Sequence, residues 1–329
     1  MRRLPGHMRR VSGHAERGAA LLVALLTVAM VATLAAAGLW QQWRAVEVEA
    51  AERQRAQANW VLSGALDWAR LILREDASTA GGVDHLGEPW AVPLREARLA
   101  TFLGASRDTD SGSSAERSFL SGEIVDLQSR LNVSNLVETG RVSPAGTRAF
   151  VRLFELLGLP AGQVTVMAQQ LLRAQQAGQS VLAADGAPVP LPPQEVSQLG
   201  WLGLPPASIA AITPYVTVLP TRTPINLNTA PATVIYAAVD GIGLADAQRL
   251  VAQRSASHLR SLADAATHLG PEARIGDGVA SVSSNFFEVQ GQLRLDQQVT
   301  VERSLLQRDR TLVQTLRRQR VSAATPPPS

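Results

Sequence analysis

The side chains that could carry catalytic or metal-binding chemistry are few and poorly spaced. The chain has no cysteine, and its five histidines show no HExxH or other ligand spacing. Asp108, Asp110 and Gly112 have the spacing that opens a calcium loop, but the twelfth position of that loop is Phe119 instead of the usual glutamate. Asp108 and Asp110 are therefore weak candidates for a metal site, and we expect no enzymatic activity.

A glycine-rich turn is the second candidate for chemistry. Residues 239–250 read VDGIGLADAQRL, which resembles a helix-hairpin-helix, a module whose turn offers backbone N–H groups to a DNA phosphate. The turn itself consists of Gly241, Ile242 and Gly243. Two carboxylates, Asp240 and Asp246, flank it and would oppose a phosphate. We therefore expect a packing turn, with DNA binding as the alternative. The core residues expected on and after this turn are Ile242, Ala247 and Leu250.

The N-terminal residues indicate a sorting signal and a membrane anchor. A leader of residues 1–18 carries five arginines and one glutamate, and an uncharged apolar run follows from Ala19 to Trp40. The 22 residues of this run, at ~1.5 Å rise each, span a bilayer core of ~30 Å. The leader charge keeps the N-terminus in the cytoplasm and places residues 41–329 on the far side. A cut between Gly18 and Ala19 would remove the leader.

Two other interpretations of the N-terminus stay open. A secretory signal would be cut at a site such as Ala35–Ala37, although its apolar region is typically about 7 to 15 residues long. A plain single-pass anchor would keep its leader. The leader contributes +4 to a formal net charge of +3, and the chain contains no lysine. Its basicity is therefore poor evidence for nucleic-acid binding.

The residue periodicity predicts an α+β fold. Apolar residues at helical spacing, which include Trp43, Trp60 and Trp68, predict one helix over residues 19–75. The second half of this helix is amphipathic, and we expect it to pack on a small antiparallel sheet. Period-two patterns predict the strands Ser118–Val125, Leu131–Val137, Asn285–Leu295 and Gln298–Leu306. Residues 140–275, with Pro and Gly punctuation, are predicted to be a largely helical insertion.

Three motifs together resemble a known family. Residues 17–26, RGAALLVALL, resemble the junction that prepilin peptidase cuts. The segment Pro214–Ala230, PYVTVLPTRTPINLNTA, and the stem residues Trp60, Trp68 and Asp76 are similar to the minor pseudopilin K family of type II secretion systems. The resemblance covers nearly the whole chain.

The resemblance implies a pilin-like subunit at the tip of the periplasmic pseudopilus, in a complex with minor pseudopilins I and J. Further partners would be other pseudopilins, prepilin peptidase, the inner-membrane secretion platform and the membrane, but not nucleic acid. The resemblance implies cleavage after Gly18 and N-methylation of Ala19. It also implies calcium in the globular part, but residues 167–178 are rich in glutamine where the family has acids, so no ligand residue is carried over.

Val23 is the residue at position five of the expected mature chain. Pilin-like proteins resemble one another in having a glutamate there, which is thought to pair with the N-terminal ammonium of the subunit ahead. A carboxylate within the bilayer costs ~2.5 to 3.5 kcal/mol unless it finds a partner. A subunit with nothing ahead needs no such carboxylate, so Val23 fits a first-placed subunit.

These observations predict the organisation of the chain and its function. The segments are a prepilin leader (1–18), a transmembrane helix (19–40), a periplasmic stem helix (41–76), a pilin-like α/β domain (77–139 and 280–320), a helical insertion with the helix-hairpin-helix or SAM-like segment (140–279) and a disordered tail (321–329). The predicted function is to start pseudopilus assembly and to support protein export across the outer membrane. The alternative is a membrane-anchored DNA-uptake protein.

Overall fold

The computed structural model describes residues 15–79, 81–99, 118–179, 189–276, 278–295 and 298–321. The chain forms two compact units, Met1–Trp60 and Val61–Ser329. Its helices are α1 (Ala15–Thr79), α2 (Pro144–Leu156), α3 (Gly162–Gln179), α4 (Pro206–Ile212), α5 (Ala232–Ala238), α6 (Leu244–Ala256) and α7 (Leu262–Leu269). Its strands are β1 (Leu94–Arg98), β2 (Ser118–Asp126), β3 (Leu131–Asn132), β4 (Val137–Glu138), β5 (Arg141–Val142), β6 (Val216–Thr217), β7 (Ile225–Asn226), β8 (Ala280–Ser281), β9 (Phe286–Leu295), β10 (Gln298–Asp309) and β11 (Leu312–Val321).

The N-terminal unit contains the apolar half of helix α1. This helix begins four residues before and ends four residues after the predicted range of 19–75. From residue 19 onward it is long and apolar enough to cross a membrane. The large apolar side chains between residues 21 and 40 are exposed, Leu26 by 70%. Apolar side chains in this state need a non-aqueous environment.

The main sheet of the second unit has five antiparallel strands in the order β1-β2-β9-β10-β11. The predicted strands at 118–125, 285–295 and 298–306 are confirmed, and the last two form the expected hairpin, in which Gln298 pairs with Leu295. Strands β1 and β11 at the two edges were not predicted. Strand β11 reaches Val321, the first residue of the predicted tail, and residues 322–329 lie outside the described part of the chain.

The predicted strand Leu131–Val137 is wrong as a single element. Only its ends are extended, as β3 and the start of β4, and a 3₁₀ helix occupies Val133–Leu136 between them. The cause is the side chain of Asn132, whose Oδ1 accepts from the backbone N–H groups of Ser134 at 3.0 Å and Leu219 at 3.1 Å. An asparagine that bonds the backbone two residues on turns the chain away from a strand.

The stem part of α1 packs on the sheet, as predicted. Leu66, Ala69 and Leu73 are buried at spacings of three and four residues, which places them on one helical face. Their partners in this core are Trp90, Phe287, Val289, Leu306 and Val313. Farther along the same face, Leu62 lies over the paired glycines of β2 and β9: a Cβ added to Gly291 would be 3.1 Å from Leu62 Cδ2.

The stem tryptophans are not part of this buried face. Trp68 is 46% exposed and Trp60 is 80% exposed. The periodicity correctly predicted an amphipathic helix, and the face of this helix that packs on the sheet consists of leucines and alanines. Aliphatic and small residues let the helix approach the sheet closely, while indole rings would hold the two apart.

The insertion is largely helical, as predicted, and has one continuous core. It also contains two short parallel strand pairs, β3 with β6 and β7 with β8. Its core includes Leu131, Val133, Leu136 and Val137, which the domain prediction assigned to the pilin-like part. The division into domains stays a prediction, and these four residues show that the core of the insertion includes residues before its predicted start at residue 140. The predicted α+β class, with a long apolar helix and an antiparallel sheet, is confirmed.

Candidate functional site: the junction between the sheet and the helical insertion

The PINLNTA motif, residues Pro224–Ala230, lies where the insertion returns to the sheet. Asn226, the second residue of β7, is fully buried. Its Nδ2 lies 2.9 Å from Ser284 Oγ and 3.1 Å from both Asp126 Oδ2 and the carbonyl oxygen of Asp84. Its Oδ1 accepts from the backbone N–H of Asn228 at 2.9 Å. One amide side chain therefore joins strand β2, the loop after α1 and the segment before β9.

Asp126 is the acceptor at the centre of this junction. Its Oδ2 accepts from the hydroxyls of Thr229 and Ser284, each at 2.6 Å, and its Oδ1 accepts from the N–H of Gln128 at 2.7 Å. Burial raises the pKa of Asp126 to about 6, although the hydrogen bonds from Ser284 and Thr229 lower it. The carboxylate is thus fully hydrogen-bonded, as a buried acid must be.

The second asparagine of the motif ties the junction to the end of the insertion. Asn228 Nδ2 donates to the carbonyl of Leu259 at 2.9 Å, and the N–H of Leu259 donates back to Asn228 Oδ1 at 2.8 Å. Leu259 lies in the loop between α6 and α7. The motif therefore fixes two separate parts of the insertion against the sheet.

A second buried cluster lies beside this network. The guanidinium of Arg308, on β10, donates to Asp76 Oδ2 at 2.9 Å and to Asp84 Oδ1 at 2.5 Å. Glu88 completes the cluster and accepts from the Trp90 indole N–H at 2.7 Å. Burial and the neighbouring Glu88 raise the pKa of Asp76 to about 6, while Arg308 opposes this shift. Burial also raises the pKa of Glu88.

These three acids are the group in the described part of the chain whose spacing suits a metal ion, with oxygens of Asp76, Asp84 and Glu88 within 4.8 Å of one another. The residues do not fit a bound cation. The guanidinium of Arg308 already bridges two of the carboxylates, so it supplies the positive charge that calcium would bring. The predicted candidates Asp108 and Asp110 lie outside the described residues, so calcium at those positions stays a prediction.

The helix-hairpin-helix turn is a closely packed corner between α5 and α6. Gly241 has φ +83°, and a Cβ added there would lie 1.9 Å from the carbonyl oxygen of Glu272. Ile242 is buried, as predicted. The N–H of Gly243, the type of donor that a phosphate would need, donates to the carboxylate of Asp246 at 2.7 Å.

Arginines of α2 hold this corner from the other side. Arg152 donates to the carbonyls of Val239 at 2.7 Å and Ile242 at 3.0 Å, and both Arg152 and Arg148 lie 3.2 Å from the carboxylate of Asp240. The core positions predicted after the turn, Ala247 and Leu250, are both buried. The N–H of Gly243 and the carboxylates of Asp240 and Asp246 all have partners within the fold, which favours the packing interpretation over DNA binding.

The predicted processing residues, Gly18 and Ala19, both lie within α1, which begins at Ala15. Val23 lies in the same helix, and its side chain is 60% exposed. They are in the N-terminal unit, while the junction is in the other. Sequence reasoning found the PINLNTA motif and Asp76 only as parts of a family resemblance, and it missed Asp84, Glu88, Asp126 and Arg308.

Comparison with known proteins bears directly on this arrangement. Two family models, each described as type II secretion system protein K, match residues 129–221 and 225–283. These ranges contain most of the insertion and all of the PINLNTA motif except Pro224. Type II secretion system protein K of Pseudomonas aeruginosa is 28% identical over 312 residues, and the match covers 89% of each chain. The chain is thus similar to type II secretion system protein K.

Two further comparisons agree with this similarity. Protein K of Pectobacterium carotovorum is 27% identical over 332 residues, which cover 92% of this chain and 96% of that relative. A crystal structure of the GspK-GspI-GspJ complex from the enterotoxigenic Escherichia coli type 2 secretion system matches with a TM-score of 0.63 and 19% identity. That match covers 83% of this chain and 99% of the solved one, and it supports the fold described above.

Proposed function

We propose that this protein K subunit occupies the tip of the pseudopilus, where it starts fibre assembly and supports protein export across the outer membrane. The observation that carries the proposal is Val23, an apolar and exposed residue at the fifth position of the expected mature helix. A subunit inside the fibre would need a carboxylate there for its neighbour's ammonium, whereas the first subunit has no neighbour ahead. The role is mechanical, without a catalytic step.

Membrane insertion and processing belong to the same proposal. Residues 19–40 hold the precursor in the inner membrane, with the N-terminus in the cytoplasm and residues 41–329 in the periplasm. Prepilin peptidase cuts between Gly18 and Ala19, and Ala19 is then N-methylated. The exposed apolar surface of α1 supports membrane insertion followed by assembly, because such a surface can contact lipid before assembly and neighbouring helices afterwards.

The proposed partners at the tip are minor pseudopilins I and J. GspK of Escherichia coli, whose fold this chain shares, was crystallised in a complex with GspI and GspJ. The large insertion also favours the first position, because helices within a fibre pack with about 8 to 10 Å between their axes. A subunit with such bulk accepts neighbours below it more easily than above it.

Deletion of the gene tests the proposal. We expect reduced secretion and delayed pseudopilus initiation, both restored by the wild-type gene. A strain with Val23→Glu tests the role of position five, and we expect little or no incorporation of this variant within the shaft, since the insertion still obstructs it. Normal fibre initiation in the deletion strain would refute the proposed role.

A further inference from the structure

A polar cleft of about 510 Å³ opens between the loop at residues 85–87 and the C-terminal end of α6. Its walls include His85, Asn228, Arg254, Ser257 and His258. The cleft lies next to the junction, because Asn228 is the motif residue that holds the loop after α6. None of the functions described above uses it.

Arg254 brings a positive charge to this cleft. Its guanidinium donates to the carbonyl of Leu227, and among the described residues no carboxylate lies within ion-pair distance of it. Burial lowers its pKa to about 10. By contrast, Arg249 on the same helix is paired with Asp246. A partly buried charge without a counter-ion is costly, so an anion that entered the cleft would relieve this cost.

Two stacked histidines also line the cleft. The rings of His85 and His258 lie 3.9 Å apart and nearly parallel, with 9° between their planes. His85 Nδ1 accepts from the N–H of Gly87 at 3.1 Å, so the proton of a neutral His85 is on Nε2. That Nε2 lies 4.0 Å from Glu88 Oε1, and Glu88 already accepts from Trp90 and from the backbone of His85.

The charges around His258 are mostly positive. Burial, His85 and Arg260 all lower the pKa of His258, and Arg254 lines the same cleft. The acid that faces the stack is Glu88, which lies on the His85 side. His258 is therefore neutral near pH 7, and an anion beside it would favour its protonation.

We propose that this cleft binds a carboxylate of a protein partner, through the guanidinium of Arg254 and the ring N–H of His258, and that it binds more tightly as the pH falls. The choice of a protein carboxylate rests on the proposed function, because an assembly subunit meets acidic side chains of its neighbours. The ammonium and guanidinium groups of other partners would be repelled. Binding would also hold the loop at residues 85–87 against the insertion.

The test uses the full processed chain in non-ionic detergent with two fluorescent peptides, tetraglutamate and tetraglutamine. We expect anisotropy to show binding of tetraglutamate alone, with affinity at least about tenfold higher at pH 5.5 than at pH 7.5. Arg254→Gln should weaken it by about tenfold or more, while the matched control Arg249→Gln on the same helix should change it by less than about twofold. Equal effects of the two substitutions, or equal binding of the two peptides, would overturn the proposal.

Two further measurements address the possibilities that the variant does not fold and that the cleft binds a different anion. If Arg254→Gln does not fold, NMR titration of the His258 Cε1–H in the parent chain replaces it. Tetraglutamate should raise the pKa of His258, and an unchanged pKa would refute the site. Inorganic phosphate that binds without any binding of tetraglutamate would identify a small-anion site instead. None of these results depends on where the subunit lies in the fibre, so failure here is distinguishable from failure of the tip assignment.

Discussion

The substitution Gly241→Ala tests whether the glycine turn exists for close packing. Two costs are expected. Gly241 has φ +83°, and an L-residue in the left-handed region costs roughly 1 to 2 kcal/mol. In addition, the new Cβ would lie 1.9 Å from the carbonyl oxygen of Glu272, so the backbone must move, and such overpacking costs typically about 1 to 3 kcal/mol more.

Gly158→Ala is the matched control for this substitution. Gly158 has φ +68°, in the same left-handed region, but nothing lies within 4 Å of its added Cβ. Gly158→Ala should therefore show only the cost of an L-residue in the left-handed region. The difference between the two variants, about 1 to 3 kcal/mol, therefore measures the contact between the turn and residue 272.

Urea unfolding of the full chain in detergent measures both variants, with native-state hydrogen exchange as a local readout. Gly241→Ala should unfold at lower urea and lose protection at residues 239–243, while Gly158→Ala should keep that protection. Equal unfolding free energies for the two variants would refute the packing argument. The turn glycines would then need another explanation, of which nucleic-acid contact is the first.

Processing, pH dependence and DNA binding each provide a separate test. Gly18→Val should leave uncut precursor, and the intact mass of the parent should show a mature chain that begins at Ala19; a start near Gly38 would indicate signal-peptidase cleavage. Burial raises the pKa of Asp126 from 3.8 to about 6, so the folded state keeps this proton to a higher pH than the unfolded chain does. The contribution of this proton to the free energy of unfolding is therefore present below about pH 4 and is lost as the pH rises through about 6. Asp126→Asn should remove up to about 3 kcal/mol of this dependence, and an unfolding profile parallel to that of the parent from pH 4 to 7 would contradict the assignment. The chain should show no salt-sensitive binding to duplex DNA near physiological ionic strength; steep salt dependence that is abolished in folded Gly243→Glu would favour the DNA-uptake alternative.

The strands that the sequence predicts well are those with one buried face. In β9, apolar residues such as Phe287, Val289 and Leu293 alternate with polar ones, and Val289 pairs with Ile124 of β2. Strand β11 was missed because it is an edge strand with few buried residues, and its second half is rich in arginine. Arginines on an edge strand discourage pairing with other chains, but they also hide the strand from a search for apolar alternation.

The candidate site could be predicted only in part. The PINLNTA motif is recognisable by resemblance, but Asp126 and Ser284, the hydrogen-bond partners of Asn226, are 100 and 58 positions away in the sequence. Arg308 is likewise separated from Asp84 by 224 positions. A buried polar network depends on the three-dimensional meeting of distant residues, and no local periodicity carries that information. The same holds for the stacked histidines of the polar cleft.

The position of the subunit in the fibre is the central claim, and gold labelling tests it most directly. A small tag on the C-terminus, after the described strand β11, would be labelled on sheared pseudopili from a strain with otherwise native subunits. We predict one gold particle, or one cluster, at a single end of each fibre. Labels spaced evenly along the shaft would show a repeating subunit and would contradict the inference from Val23 and the insertion.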